Sequence, residues 1–159
     1  MKDQNIANAG YSGGALPTRS QTNLPRILVV EDDLSIRQLI PIALRDSGYY
    51  VDAAEDGAAG WEALQAGNYD LLITDNTMPK VSGVELVKML RSARMTLPVV
   101  MVSGNSLEAL NRDSSLQLAA TLLKPFSMDE LLGTVEKVLR ATEEAPGHTV
   151  FFPAMAGAA

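Results

Sequence analysis

Short apolar runs alternate with helical patterns between residues 26 and 140. Three runs, at residues 27–30, 71–74 and 99–102, are almost continuously apolar, as expected for strands that helices cover on both faces. Two further runs have features typical of edge strands. A charged residue interrupts the run Tyr50–Ala54, and the run at residues 121–123 is very short. This alternation predicts five βα units on a parallel sheet.

Three inner strands and two outer ones fit the doubly wound strand order 2-1-3-4-5. We therefore predict an α/β fold of the flavodoxin-like (βα)5 type. The last helix is the clearest, because its apolar residues recur at helical spacing. The fourth helix, predicted at residues 106–115, has little apolar support from Leu107, Ala109 and Leu110, so we expect it to be short or mobile.

The two ends of the chain differ from this central part. Residues 1–24 contain few large apolar side chains and several glycines, a composition that cannot offset chain entropy by burial. We predict a disordered leader at 1–24, one domain at 25–141 and a flexible tail at 142–159. The leader lacks the unbroken apolar stretch of an export signal, and the apolar run at 150–155 is too short to span a bilayer, so we expect a cytoplasmic protein.

Composition narrows the available chemistry. The chain has no cysteine and one histidine, His148, near its end, which excludes disulfides, thiolate metal sites and histidine-based catalysis in the domain. Its 13 Lys+Arg against 19 Asp+Glu give a net charge of −6, and direct nucleic-acid binding, which needs a basic face, is not expected. An acidic group beside the second strand, Asp52, Glu55 and Asp56, is expected to form a solvated rim.

Charged and hydroxyl residues follow four of the predicted strands. Glu31 and Asp32 follow the first strand, Asp75 the third, Ser103 the fourth and Lys124 the fifth. Ligands of open α/β sheets bind outside the carboxyl ends of the strands where the winding reverses, here between strands one and three. Three converging carboxylates call for a cation, and an all-oxygen set favours Mg2+. Together with a lysine and a hydroxyl, these groups indicate a phosphoryl-transfer site.

Four segments resemble the receiver domain of two-component response regulators. They are residues 26–33 (RILVVEDD), 71–83 (LLITDNTMPKVSG), 99–103 (VVMVS) and 123–126 (LKPF). Each is weakly specific alone, but they occur in order and at suitable spacing. The resemblance covers about residues 26–140, nearly all of the predicted domain.

The resemblance implies a role for each residue at the strand ends. Asp75 corresponds to the phosphoacceptor, and Glu31 and Asp32 to the acidic pair that holds Mg2+. The backbone carbonyl of Thr77 would complete the coordination of the metal. Ser103 and Lys124 would contact oxygens of the bound phosphoryl group, and the bond before the proline after that lysine is expected to be cis.

The implied donor is the phosphohistidine of a sensor histidine kinase or a histidine phosphotransfer protein, and the implied output is contact with a downstream protein target. We expect a protein that catalyses only its own phosphorylation and dephosphorylation, without a separate substrate. One departure from the family concerns Thr121, which stands where the family usually has an aromatic residue that reports activation.

Two other functions remain open on the sequence. The first is a Mg2+-dependent phosphohydrolase that forms an aspartyl phosphate, although such enzymes usually carry an acid two residues after the nucleophile, where this chain has Thr77. The second is a receiver-like scaffold that is never phosphorylated. The presence of all the expected pocket residues disfavours it.

Overall fold

The computed structural model describes residues 23–145, and within them five strands alternate with five α-helices. In chain order the elements are β1 (Arg26–Val30), α1 (Leu34–Asp46), β2 (Tyr50–Ala54), α2 (Gly57–Ala66), β3 (Leu71–Asp75), α3 (Gly83–Ser92), β4 (Val99–Ser103), α4 (Glu108–Arg112), β5 (Ala120–Leu123) and α5 (Met128–Glu144). A 3-10 turn at Ser114–Leu116 separates α4 from β5.

The five strands form one parallel sheet in the order β2-β1-β3-β4-β5. The predicted fold class and strand order are therefore confirmed. Every residue of β3 and β4 is buried, whereas the edge strands β2 and β5 contain exposed and half-buried positions. This difference in burial is the reason why continuous apolar runs marked the inner strands.

The helices divide between the two faces of the sheet. The buried residues Ile40 and Leu44 of α1 pack in one cluster with Leu131 and Val135 of α5. A second cluster on the other face collects the buried residues of α2, α3 and α4, together with Leu116 of the 3-10 turn. Both faces of the sheet are thus covered, and the carboxyl ends of the strands are left to the connecting loops.

The fourth helix is shorter than the predicted span of 106–115. It has five residues, its N-cap position Leu107 makes no side-chain capping bond, and Leu110 is its buried residue. By contrast, α3 and α5 both begin with a capping box, formed by Ser82 with Glu85 and by Ser127 with Glu130. The expected shortness of the fourth helix is confirmed, and a missing cap with little apolar burial accounts for it.

The predicted domain limits of 25 and 141 differ slightly from the limits of the secondary structure, because α5 continues to Glu144. Most of the predicted leader and tail lies outside the described residues. No helix within residues 23–145 is both long enough and apolar enough to cross a membrane.

Candidate functional site

An acidic cluster lies at the carboxyl ends of β1 and β3. Glu31, Asp32 and Asp75 each place one carboxylate oxygen within 4.8 Å of the others. The register of the sheet brings two of these acids together, because Val30 pairs with Thr74 and the next residue of each segment is an acid, Glu31 after β1 and Asp75 at the end of β3. Glu31 and Asp75 are buried, with 2% and 5% of their surface exposed, whereas Asp32 is exposed. The sequence prediction that these three residues converge is confirmed.

The loop after β1 is held by hydrogen bonds to its neighbours. The backbone N–H of Glu31 donates to the carbonyl of Ala54 in β2. The Glu31 carboxylate accepts from the backbone N–H of Asp33 at 3.1 Å. Asp33 itself accepts from the backbone N–H of Ile36 and so caps α1. A short loop that ends in a capped helix leaves little freedom to the acidic pair.

Asp75 is fixed by the turn that leads into α3. Its carboxylate accepts from the backbone N–H of Asn76 at 3.0 Å. Gly83, the first residue of α3, donates its N–H to the Asn76 carbonyl, and the Asn76 side chain accepts from the N–H of Val84. A Cβ atom added at Gly83 would lie 2.3 Å from the Asp75 carbonyl oxygen. Only glycine allows this close approach of helix and strand.

Lys124 joins two of the three acids. Its ammonium nitrogen Nζ lies 3.2 Å from Glu31 Oε2 and 3.4 Å from Asp75 Oδ1. The sequence assigned Lys124 to an anionic ligand and did not foresee its contact with Glu31. The peptide bond between Lys124 and Pro125 is cis, as the resemblance implies.

Burial and charge set the titration of the cluster. Burial raises the pKa of Asp75, which Lys124 partly opposes and the charge of Asp32 reinforces. Burial likewise raises the pKa of Glu31, against the hydrogen bond from Asp33. Burial alone would lower the pKa of Lys124, but its contacts with Glu31 and Asp75 outweigh that effect and raise it. Ionisation of the two buried acids therefore carries a cost that a further positive charge would relieve.

The charge balance and the donor atoms fit a divalent cation. With all groups ionised, three carboxylates and one ammonium sum to −3 + 1 = −2. The three acids offer oxygen atoms alone, as hard ions such as Mg2+ prefer. One acid is exposed and two are buried, so a cation could bind here and keep water on its open side.

Ser103 and Thr77 stand near the cluster in different settings. Ser103 ends β4, is 1% exposed, and its hydroxyl oxygen accepts from the backbone N–H of Asn105 at 3.1 Å. Its carbonyl accepts from the backbone N–H of Lys124, which ties the ends of β4 and β5 together. Thr77 is exposed in the loop after β3. Its predicted role as a carbonyl ligand, like the phosphoryl contacts of Ser103, stays a prediction.

The second acidic group is only partly the solvated rim that the sequence suggested, because Glu55 is exposed and Asp56 is buried. Asp56 is 6% exposed, caps α2 by accepting from the N–H of Ala59, and contacts Lys80 at 3.1 Å. Asp52 accepts from Arg26 and from the Tyr69 hydroxyl. These side chains stabilise the fold beside the site. The rim prediction holds for the exposed Glu55 and was wrong for Asp56, because its partner Lys80 comes from another part of the chain.

Comparison with known proteins finds one family. The model described as "Response regulator receiver domain" matches residues 27–136. The response regulator receiver protein CpdR of Brucella abortus is 36% identical over 119 residues, which cover 74% of this chain and 99% of CpdR. The transcriptional regulatory protein CusR of Escherichia coli is 36% identical over 118 residues, which cover 72% of this chain and 51% of CusR. The chain thus spans about half the length of such regulators.

Solved structures of response regulators are also similar to this chain. The chemotaxis protein CheY4 of Vibrio cholerae has a TM-score of 0.68 and 32% identity, over 72% of this chain and 98% of CheY4. The response regulator TrrA of Thermotoga maritima, solved in complex with Mg(2+)-BeF, has a TM-score of 0.66 and 34% identity, over 72% of this chain and 99% of TrrA.

Proposed function

The chain belongs to the response regulator receiver domains, and on that premise we propose that Asp75 accepts a phosphoryl group from the phosphohistidine of a partner protein. The observation that carries this proposal is the cluster of Glu31, Asp32 and Asp75 with Lys124 in contact with two of them. It supplies a nucleophile, a cation site and a positive charge for phosphoryl oxygens in one place.

Glu31, Asp32 and Asp75 are the residues that would hold Mg2+, with the carbonyl of Thr77 as a further ligand. Bound Mg2+ would neutralise charge on the phosphoryl oxygens and relieve the repulsion among the acids. The similarity to TrrA, whose structure was solved with Mg(2+)-BeF, supports this assignment. The net charge of −2 on the three acids and Lys124, with all four ionised, also supports the binding of a divalent cation.

The transfer itself uses groups of this chain. A carboxylate oxygen of Asp75 forms the new bond to phosphorus while the bond from phosphorus to the donor imidazole nitrogen breaks, and the electron pair of that bond stays on the imidazole. Lys124, already 3.4 Å from Asp75, would then contact a phosphoryl oxygen. The Ser103 hydroxyl, at the end of the neighbouring strand, would donate to another.

The solvent face of α1 offers a docking surface for the donor. Leu34, Leu39 and Ile42 are 58%, 52% and 55% exposed, so this 13-residue helix leaves three large apolar side chains uncovered in the described structure. The helix begins at Leu34, two residues after Asp32, so a partner on this face would lie close to the acidic cluster. We propose that a sensor histidine kinase or a histidine phosphotransfer protein docks here.

Output would pass to a downstream protein through the region of α4, β5 and α5. The short α4 is joined to β5 by a hydrogen bond from the Thr121 hydroxyl to Asn111 Oδ1 at 3.3 Å. Thr121 stands at the position where the family usually has an aromatic residue. A weakly held helix next to the site suits a two-state response. We further propose a cytoplasmic protein that turns over no separate substrate.

Phosphorylation by a small donor tests the proposal. With Mg2+ and acetyl phosphate, the wild-type chain should gain one phosphoryl group, seen by mass spectrometry or by a gel-mobility shift. Asp75→Asn should gain none, while Asp46→Asn, a change at an exposed acid on α1, should behave as wild type. Equal labelling of the Asp75→Asn variant would contradict the assignment. Steady turnover of an added phosphate ester would instead favour a phosphohydrolase.

A further inference from the structure

Arg37, in the first turns of α1, contacts the loop that carries the acidic pair. Its Nη1 atom donates to the carbonyl oxygen of Glu31 at 2.9 Å and to that of Asp32 at 3.0 Å. The side chain is half-buried. One guanidinium nitrogen thus binds two successive peptide groups, and these are the groups that follow the Cα atoms of the two acids.

The contacts restrict the backbone from which both acids branch. A side chain moves as a body when the peptide units beside its Cα rotate, and hydrogen bonds to charged donors are the stronger ones. Fixing the carbonyls of Glu31 and Asp32 therefore restricts the direction of their Cα–Cβ bonds, from which the two carboxylates are carried. The positive charge of the guanidinium by itself opposes a second cation, so a loss of Mg2+ affinity on removal of Arg37 would come from the lost hydrogen bonds.

The start of α1 does not need these bonds. Asp33 already caps the helix through the N–H of Ile36 at 3.1 Å, and the backbone N–H of Arg37 donates to the Asp33 carbonyl at 2.9 Å in the ordinary helical pattern. The Arg37 side chain reaches past this cap to the two residues before it. The Arg37 side chain therefore stabilises the backbone of the acidic pair and is not needed to start the helix.

We propose that Arg37 is a positioning residue for cation binding, which holds Glu31 and Asp32 in the arrangement that Mg2+ requires. This inference rests on the proposed function for its ligand. Groups that orient metal ligands from behind typically change metal affinity by about 10- to 100-fold when removed.

The test compares Arg37→Met with Arg45→Met in the full chain. Arg45 lies on the same helix and also donates to a backbone carbonyl, that of Val51 at 2.8 Å. Both variants therefore lose one charge and guanidinium hydrogen bonds to the backbone, two at Arg37 and one at Arg45. Arg37→Met should weaken Mg2+ binding about 10-fold in a calorimetric or NMR titration. Arg45→Met should stay within about 2-fold of wild type. Wild-type affinity in Arg37→Met, or an equal loss in both variants, would overturn the proposal.

A second measurement needs no metal. In the metal-free chain, amide hydrogen exchange at Asp32 and Asp33 should become at least about 5-fold faster in Arg37→Met and stay unchanged in Arg45→Met. Unchanged exchange in Arg37→Met would show that the loop does not depend on Arg37. Absence of Mg2+ binding to the wild type would count against the proposed function, and the exchange result would still decide the role of Arg37.

Discussion

The ammonium nitrogen of Lys124, the residue after β5, lies 3.4 Å from Oδ1 of Asp75 at the end of β3, although β4 separates the two strands. The same nitrogen lies 3.2 Å from Glu31 Oε2. One lysine therefore serves as the counter-ion of two buried acids in the described chain. Binding of a cation would compete with that contact, and the lysine would then be available to a phosphoryl group.

Removal of Lys124 should destabilise the chain at neutral pH. Lys124→Met leaves Glu31 and Asp75 buried without their cation, and we expect a loss of about 2 kcal/mol in the free energy of unfolding. The loss should shrink in acid, where both carboxylates take up protons. Urea denaturation at neutral and acidic pH measures the difference.

The matched control is Lys80→Met. Lys80 contacts the buried Asp56 at a similar distance of 3.1 Å, but the Lys80 side chain itself is 69% exposed. Because water still solvates this lysine, we expect its removal to cost less than about 1 kcal/mol. Equal losses in the two variants, or a loss at Lys124 that does not depend on pH, would show that the buried acids do not govern the effect.

The raised pKa values of Glu31 and Asp75 predict an unusual pH dependence of stability. Their folded pKa lies above the unfolded value, so the folded chain binds more protons, and their contribution to stability falls as pH rises through the folded pKa. The pKa of Asp52 is shifted in the opposite direction. Burial alone would raise it, but the contacts with Tyr69 and Arg26 outweigh burial and lower it. Its contribution is lost as pH falls.

The double variant Glu31→Gln, Asp75→Asn should be more stable than wild type at neutral pH without metal, by about 1 kcal/mol. The gain should disappear in acid. Denaturation curves in EDTA check this, with Asp52→Asn as a variant expected to lose stability at neutral pH. A double variant less stable than wild type at neutral pH would show that burial does not penalise these acids.

Mg2+ should stabilise the wild type through the same carboxylates. A ligand that binds only the folded chain adds about 2.7 kcal/mol at 100 times its dissociation constant. The rise in melting temperature should decline as pH falls toward the raised pKa values, because protons and the cation compete for the acids. The double variant should show no rise. A rise of equal size in that variant would place the cation elsewhere.

Replacement by alanine should have opposite effects on stability at Gly83 and at Gly133. In Gly83→Ala the new methyl group would meet the Asp75 carbonyl oxygen at 2.3 Å and Met101 Sδ at 2.8 Å, and we expect a loss of about 3 kcal/mol. In Gly133→Ala, within α5, a Cβ meets nothing within 4 Å, and the higher helix propensity of alanine should add about 1 kcal/mol. Thermal denaturation compares the two, and a neutral Gly83→Ala would show that the turn can relax.

A charge introduced on the solvent face of α1 should slow phosphorylation by a donor kinase without changing phosphorylation by acetyl phosphate. Leu39→Glu and Ile42→Glu should slow transfer from a donor kinase at least about 10-fold, because a charge in the centre of a docking surface is costly. Labelling by acetyl phosphate should stay the same. Leu24→Glu, an exposed leucine just before β1, is the control. Equal rates from the kinase in all variants would exclude this face as the docking surface.

The sequence alone determined the sheet and the position of its site. Continuous apolar runs identified β1, β3 and β4 because strands covered on both faces leave no position for polar side chains. The order of the strands then brought their carboxyl ends together, and the residues that follow those strands include Glu31, Asp32 and Asp75. Spacing along the chain was sufficient for these inferences, because a parallel sheet aligns its strand ends.

The tertiary structure decided which side chains contact one another. Lys124 neutralises Glu31 across a separation of 93 residues, Asp56 is buried against Lys80, and Arg37 reaches back to two carbonyls before its own helix. Such contacts depend on the register between elements and on the reach of long side chains. Neither quantity is encoded in hydrophobic periodicity, since periodicity specifies which face of an element is buried and not which polar group it meets there.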